Sequence, residues 1–135
     1  MAGIVFLRTA DLARILGFYT EEVGMEPWLS QPGIEILRHG NLLLGFQEQA
    51  DALPNTDALL TFFYPARTQV DEMYDRFAAV ALDPPRENTT YRIYNFFARD
   101  PDGRRVEFQC FLHPLPRVPA LHFAGDAPDA PAQPG

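Results

Sequence analysis

Ala98-Arg99-Asp100-Pro101-Asp102-Gly103-Arg104-Arg105-Val106-Glu107-Phe108-Gln109 reads as a tight turn feeding a strand that packs one face. Proline fixes φ at the second turn position, the aspartate side chains can cap local backbone N–H groups, and glycine tolerates positive φ. Beyond the turn, Val106 and Phe108 alternate with Arg105, Glu107 and Gln109, which is the period of a half-buried strand. Glu107 therefore points away from the packed face, either as an exposed strand carboxylate or as one aimed into a cleft.

Upstream, one order of elements occurs twice. Ile4 to Arg8 reads as a strand, and a helix follows from about Asp11 to Val23, with Thr9 or Asp11 as N-cap and Gly24 as its end. Leu12, Ile15, Leu16 and Tyr19 give it one apolar stripe. Strand-like pieces at 25–29, 34–37 and 42–47 are separated by Gln31-Pro32-Gly33 and Arg38-His39-Gly40-Asn41, which is hairpin chemistry. After a polar stretch at 49–57, Leu59 to Tyr64 reads as a strand and Thr68 to Val80 as a helix with Val70, Met73, Tyr74 and Phe77 on one face. Pieces near Ala81-Leu82, 91–98 and 104–111 complete the second set. The last strands echo each other, Leu-Gly-Phe-Gln at 44–47 against Val-Glu-Phe-Gln at 106–109. A period of roughly sixty residues suits an internal duplication of a βαβββ module rather than a solenoid. The expected fold is α+β: one domain over 1–112, with module one at about 3–48, a linker at about 49–57 and module two at about 58–112. From 113 to 135 the Pro/Ala-rich composition predicts a flexible tail, with Leu121-His122-Phe123 as a possible apolar anchor.

The 135 residues are enough to bury a hydrophobic interior. A net charge of −7 and the lack of a basic stripe in the sequence argue against binding a nucleic-acid backbone. No stretch approaches the roughly 18 apolar residues of a membrane span, and Met1 to Leu7 lacks the basic start of a secretory signal, so a cytoplasmic protein is expected. The single cysteine, Cys110, reads as a buried structural thiol. No Gly-rich phosphate loop, paired-Cys zinc motif or Ser-His-Asp arrangement is present.

Two tandem βαβββ modules, Asp11-Leu12-Ala13 and Phe18-Tyr19 after the opening strand, and the Asp-Pro-Asp-Gly-x-x-Val-Glu-Phe close resemble the vicinal oxygen chelate superfamily. That family includes glyoxalase I, extradiol dioxygenases, methylmalonyl-CoA epimerase, and the fosfomycin and bleomycin resistance proteins. The resemblance covers about 3–112 and implies curved mixed sheets around a cleft. It also implies metal-ligand positions on the first and last strands of each module. Here these fall near Ile4, near Leu44 or Gly45, between Leu59 and Phe62, and at Glu107, and only Glu107 is a donor suited to the task. One carboxylate cannot supply the three or more protein ligands of a tight divalent site, so no metal or other cofactor is expected. His39, His113 and His122 read as surface histidines.

What the resemblance leaves is a cleft for a small molecule. If Ile4 and Glu107 face it, strand alternation adds Phe6, Arg8, Arg105 and Gln109, while Phe62 and Tyr64 join from the second module and Trp28 and Tyr94 sit at the rim. Phe62 and Phe63 read equally well as core, and Phe96 and Phe97 read as core. The leading expectation is a metal-free homodimer that sequesters an aromatic or cationic ligand, similar in logic to the bleomycin resistance proteins. One alternative is a glyoxalase-type lyase, isomerase or dioxygenase, with Glu107 as catalytic general base or metal ligand. The other is a structural or interaction dimer whose cleft is filled by its own side chains.

Overall fold

A computed structural model describes residues 2–117 of the chain; the expectations for the tail beyond 117 and for His122 lie outside them. Strand β1 (Val5–Thr9) leads into helix α1 (Leu12–Gly17), whose N-terminus is capped as the sequence implies. The Asp11 carboxylate accepts from Arg14 N at 3.1 Å, and Thr9 Oγ1 accepts from Asp11 N at 3.2 Å. The helix continues as a π-helical turn, Phe18–Glu22, which carries the buried Phe18 and Tyr19. Strands β2 (Glu26–Gln31), β3 (Ile34–His39) and β4 (Leu42–Glu48) complete the first module. The second repeats the plan with β5 (Leu59–Phe63), α2 (Arg67–Phe77), β6 (Arg86–Asn88), β7 (Ile93–Arg99) and β8 (Arg105–Phe111). The Ala81 piece is a lone bridge to Ala98, and the short polar β6 lacks an apolar pattern that would announce it.

Each module is a four-stranded mixed sheet, ordered β1-β4-β3-β2 in the first and β5-β8-β7-β6 in the second. The first strand runs parallel to the last in both, with Val5 beside Leu44 and Leu60 beside Val106. Alternation then assigns the faces: Leu7, Leu44 and Phe46 of the first sheet and Leu60, Phe62, Val106, Phe108 and Cys110 of the second turn to a shared core. Phe62 and Phe77 each stack against the Phe108 ring, at 5.9 and 4.9 Å between centroids, and Phe18 reaches Phe77 across the module boundary at 5.3 Å. Cys110 is buried there, as its neighbours imply.

The Asp-Pro-Asp-Gly turn does more than reverse the chain. Asp100 Oδ1 accepts from the backbone N–H groups of Asp102 and Arg104 at 2.9 and 3.0 Å, and Gly103 takes φ of +84°, a conformation that a side chain would strain. Asp100 Oδ2 accepts from the wholly buried Arg104 at 2.5 Å and from Tyr19 Oη of the other module at 2.7 Å. Burial, reinforced by the Asp100 charge, drives the Tyr19 phenol far above its ordinary value, so it stays a neutral donor. The turn is thus also a polar latch between modules.

His39 departs from expectation. It ends β3 rather than occupying the turn, and its ring packs edge-on against Phe62 of the second module at 5.1 Å between centroids. Desolvation lowers its pKa from 6.5, against the opposing pull of Glu26. A lowered pKa favours the neutral ring in the folded state, so its contribution is full above 6.5 and is lost as pH falls below that value. The melting temperature is expected to fall more steeply for the wild type than for His39→Phe between about pH 7 and about pH 5; parallel curves would remove His39 from this role.

Candidate functional site

The second sheet builds its outer face by register. Thr61 lies beside Glu107, Glu107 beside Phe97, and Gln109 beside Asn95, so these side chains share the face opposite the core. Leu59, Asn95, Phe97, Glu107, Gln109 and Phe111 are among the residues that line a cavity of about 910 Å³, and β6 and the turn after it close one wall. That volume lies in the range of small-molecule sites, and its lining mixes the apolar Leu59, Tyr91, Ile93, Phe97 and Phe111 with polar and charged side chains, Arg86, Glu87 and His113 among them.

Glu107 sits at the floor and is 7% exposed. Thr61 Oγ1 donates to its Oε1 at 2.8 Å and Asn95 Nδ2 donates to its Oε2 at 2.7 Å. These two neutral donors fix the carboxylate, yet a carboxylate has about four acceptor sites, so lone pairs remain for a ligand. Among the described residues no cation pairs with it. The other charged groups of the wall are already engaged: Glu87 with Arg67, and Arg86 with Asp83 at 3.1 Å. A buried carboxylate without a countercharge attracts a cation or a strong donor more than an exposed one does, because the surroundings screen it less. Arg105 stacks its guanidinium over Phe97, 4.3 Å from the ring centroid, and so braces a wall of the cavity without lining it.

The first module shows what this site replaces. The parallel registers make Ile4 equivalent to Leu59, Phe6 to Thr61 and Gly45 to Glu107. A Cβ at Gly45 would lie 2.4 Å from Phe6 Cε1, so the Phe6 ring covers the place where the second module carries its carboxylate. One sheet face is filled by its own side chain and the other is open.

Several sequence expectations change accordingly. Glu107 and Gln109 line the cavity, and of the two readings of Glu107 the one aimed into a cleft is the one its burial supports. Phe62 belongs to the core, and Tyr64 shares its parity: the Tyr64 hydroxyl is buried without a hydrogen-bond partner among the described residues, and burial pushes its pKa up to about 12. The alternation of β5 runs through 59, 61 and 63 on the open face, so placing 62 and 64 there was a one-residue slip that inverted the strand. Tyr94 alternates with Asn95 for the same reason and donates to Asp71 Oδ1 at 2.5 Å, on the α2 side. Phe97, expected in the core, lines the cavity instead, while Phe96 is core. Phe6, Arg8 and Trp28 lie on the first module, away from the lining. His113, expected at the surface, is half-buried and lines the cavity; sequence reasoning also missed Leu59 and Phe111 in the lining, and Thr61 and Asn95, whose signal was their cross-strand register with Glu107 and Gln109.

The same registers test the implied metal. The four ligand positions carry Ile4, Gly45, Leu59 and Glu107: two aliphatics, a glycine under a phenyl ring and one carboxylate held by neutral donors. No group of three or more His, Cys, Asp or Glu that could hold an ion occurs among the described residues. The donor set does not fit a divalent site.

A family model described as the Glyoxalase/Bleomycin resistance protein/Dioxygenase superfamily matches residues 2–108. Among solved structures, a glyoxalase/bleomycin resistance protein/dioxygenase family enzyme from Burkholderia phytofirmans superposes with a TM-score of 0.71 at 20% identity, over 81% of this chain and 97% of that one. A glyoxalase-related enzyme from Fulvimarina pelagi gives 0.69 at 20% identity, over 82% and 87% of the two chains. A lactoylglutathione lyase from Agrobacterium tumefaciens gives 0.64 at 25% identity, over 79% and 90%. No curated protein matches. These likenesses carry the fold; the chemistry has to be argued from the cavity.

Proposed function

Because the chain belongs to the Glyoxalase/Bleomycin resistance protein/Dioxygenase superfamily, we propose that it uses the open cavity of its second module to bind and sequester an aromatic ligand bearing a cationic or strongly hydrogen-bond-donating group, without a metal. One observation carries this reading: Glu107 is buried at the cavity floor, oriented by Thr61 and Asn95, and lacks a countercharge among the described residues. Phe97 and Phe111 offer faces for ring stacking, while Asn95 and Gln109 offer further polar contacts. An open cavity of about 910 Å³ disfavours the alternative of a cleft filled by its own side chains.

The working form we propose is a cytoplasmic homodimer. Val5 and Phe6 on β1 and Leu59 and Phe63 on β5 are each about half exposed, and both strands are sheet edges. Apolar edges of this kind favour burial against a second copy. A second reading rests on the same carboxylate: Glu107, facing an open cavity with free lone pairs, could act as a general base in a lyase or isomerase reaction.

Titration with three probes of one shape tests the reading. N-methylquinolinium is expected to bind more tightly than naphthol, and naphthalene sulfonate more weakly than either. Equal affinities would show that Glu107 does not select charge, and a preference for the sulfonate would reverse the proposal.

A further inference from the structure

Apart from the Glu107 cavity, we propose that the seam between the modules holds a second site, for a small organic anion, built on Arg14, Arg76 and Arg99. Three of the chain's eleven basic residues, all of them arginines, line one cavity of about 440 Å³, whose apolar side includes Phe18, Phe77 and Val80. In a chain of net charge −7, three guanidinium groups against the two carboxylates of the lining give the cavity a local excess of positive charge.

Two of the three groups are already held in place. Arg76 Nη1 donates to the Glu22 carbonyl at 2.8 Å, across the module boundary, and Arg99 Nη1 donates to the Gly103 carbonyl at 3.0 Å. Each bond occupies one nitrogen and leaves the other donors of the fork for an anion. The Arg14 side chain makes no hydrogen bond or ion pair among the described residues. Nearby carboxylates do not consume this charge. Asp100, at the cavity wall, already receives Tyr19, Arg104 and two backbone N–H groups, and Glu22 is the one other acidic residue of the lining. Planar guanidinium forks suit carboxylate or phosphoryl oxygens, and the aromatic wall suits an apolar body attached to them.

A ligand here would join Arg14 of the first module to Arg76 and Arg99 of the second, so its binding would stabilise the folded chain. Calorimetric titration and thermal melts with phenyl phosphate and with benzoate test this. Saturable binding of either probe, with a raised melting temperature, is expected; the tighter of the two identifies phosphoryl or carboxylate as the recognised group. Arg14→Gln and Arg99→Gln are each expected to weaken it by about tenfold, the worth of one charge-assisted contact. Arg14→Gln is expected to keep the melting temperature of the ligand-free protein, since that side chain has no partner to lose. The titration of Glu107→Gln separates the two sites. Unchanged affinity there places the anion at the seam, whereas altered affinity places it in the other cavity and overturns the inference. Absence of saturable binding, or unaltered affinity in both arginine variants, overturns it as well.

Discussion

Glu107→Gln is expected to lower the affinity for N-methylquinolinium by about 10- to 100-fold, the range for losing a charge-assisted contact in a poorly screened site. The substitution suits the question because it removes the charge and keeps the shape. Asn95 Nδ2 can still donate to the amide oxygen, and the Thr61 hydroxyl can rotate to accept from the new amide NH₂, so both existing contacts have replacements. Folding is expected to change by no more than about 1 kcal/mol, since no buried donor is orphaned and an unpaired buried charge is removed. Glu107→Ala, by contrast, strands both donors and enlarges the cavity, so any affinity it loses mixes charge with collapse. Naphthalene sulfonate gives the internal control: the repulsion expected to weaken its binding to the wild type should vanish in Glu107→Gln, and its affinity should rise. Loss of binding for all three probes together would instead report a damaged pocket.

The largest expected loss of stability lies at the latch. Asp100→Asn is expected to destabilise the chain by about 3–5 kcal/mol, the cost of leaving a buried charge without its partner. Arg104 is wholly buried, Asp100 is its salt-bridge partner, and its Nε and Nη2 already lack hydrogen-bond partners among the described residues. Among the described residues Asp100 is the carboxylate that pairs with Arg104, although Asp102, two residues away, keeps a buried Oδ2 without a hydrogen-bond partner. The melting temperature should fall by roughly 10–20 °C at this chain length. Asp100→Asn combined with Arg104→Met should recover most of the loss, because neutral replacement of both partners removes the uncompensated charge. A double variant no more stable than the single one would show that the pair contributes packing rather than electrostatics.

These two sites differ in how far the sequence announces them. The Asp-Pro-Asp-Gly turn and the Val-Glu-Phe strand are local patterns, and both form as read, including the orientation of Glu107 away from the core. The duplication and the helix stripes of Ile15, Tyr19, Val70, Met73 and Phe77 were equally legible, because periodicity is a property of neighbours. The latch was not, since Tyr19 and Asp100 stand 81 residues apart and no local signal joins them. In the Glu107 cavity the difficulty was parity. Aromatic residues run consecutively at Phe62-Phe63-Tyr64 and Phe96-Phe97, so hydrophobicity alone does not tell one face from the other, and only cross-strand register assigns Phe97 to the cavity and Phe62 to the core. The polar partners of Glu107 were hidden for the same reason: Thr61 and Asn95 look like interruptions of apolar strands until their neighbours are known.

Native mass spectrometry of protein purified without a metal-affinity tag tests the central claim most directly, because one spectrum reports oligomer mass, bound metal and any retained organic molecule. A dimer free of stoichiometric divalent metal and able to retain N-methylquinolinium through transfer to the gas phase is expected. One divalent ion per subunit, persisting after dialysis against a weak chelator, would contradict it and place Glu107 among metal ligands.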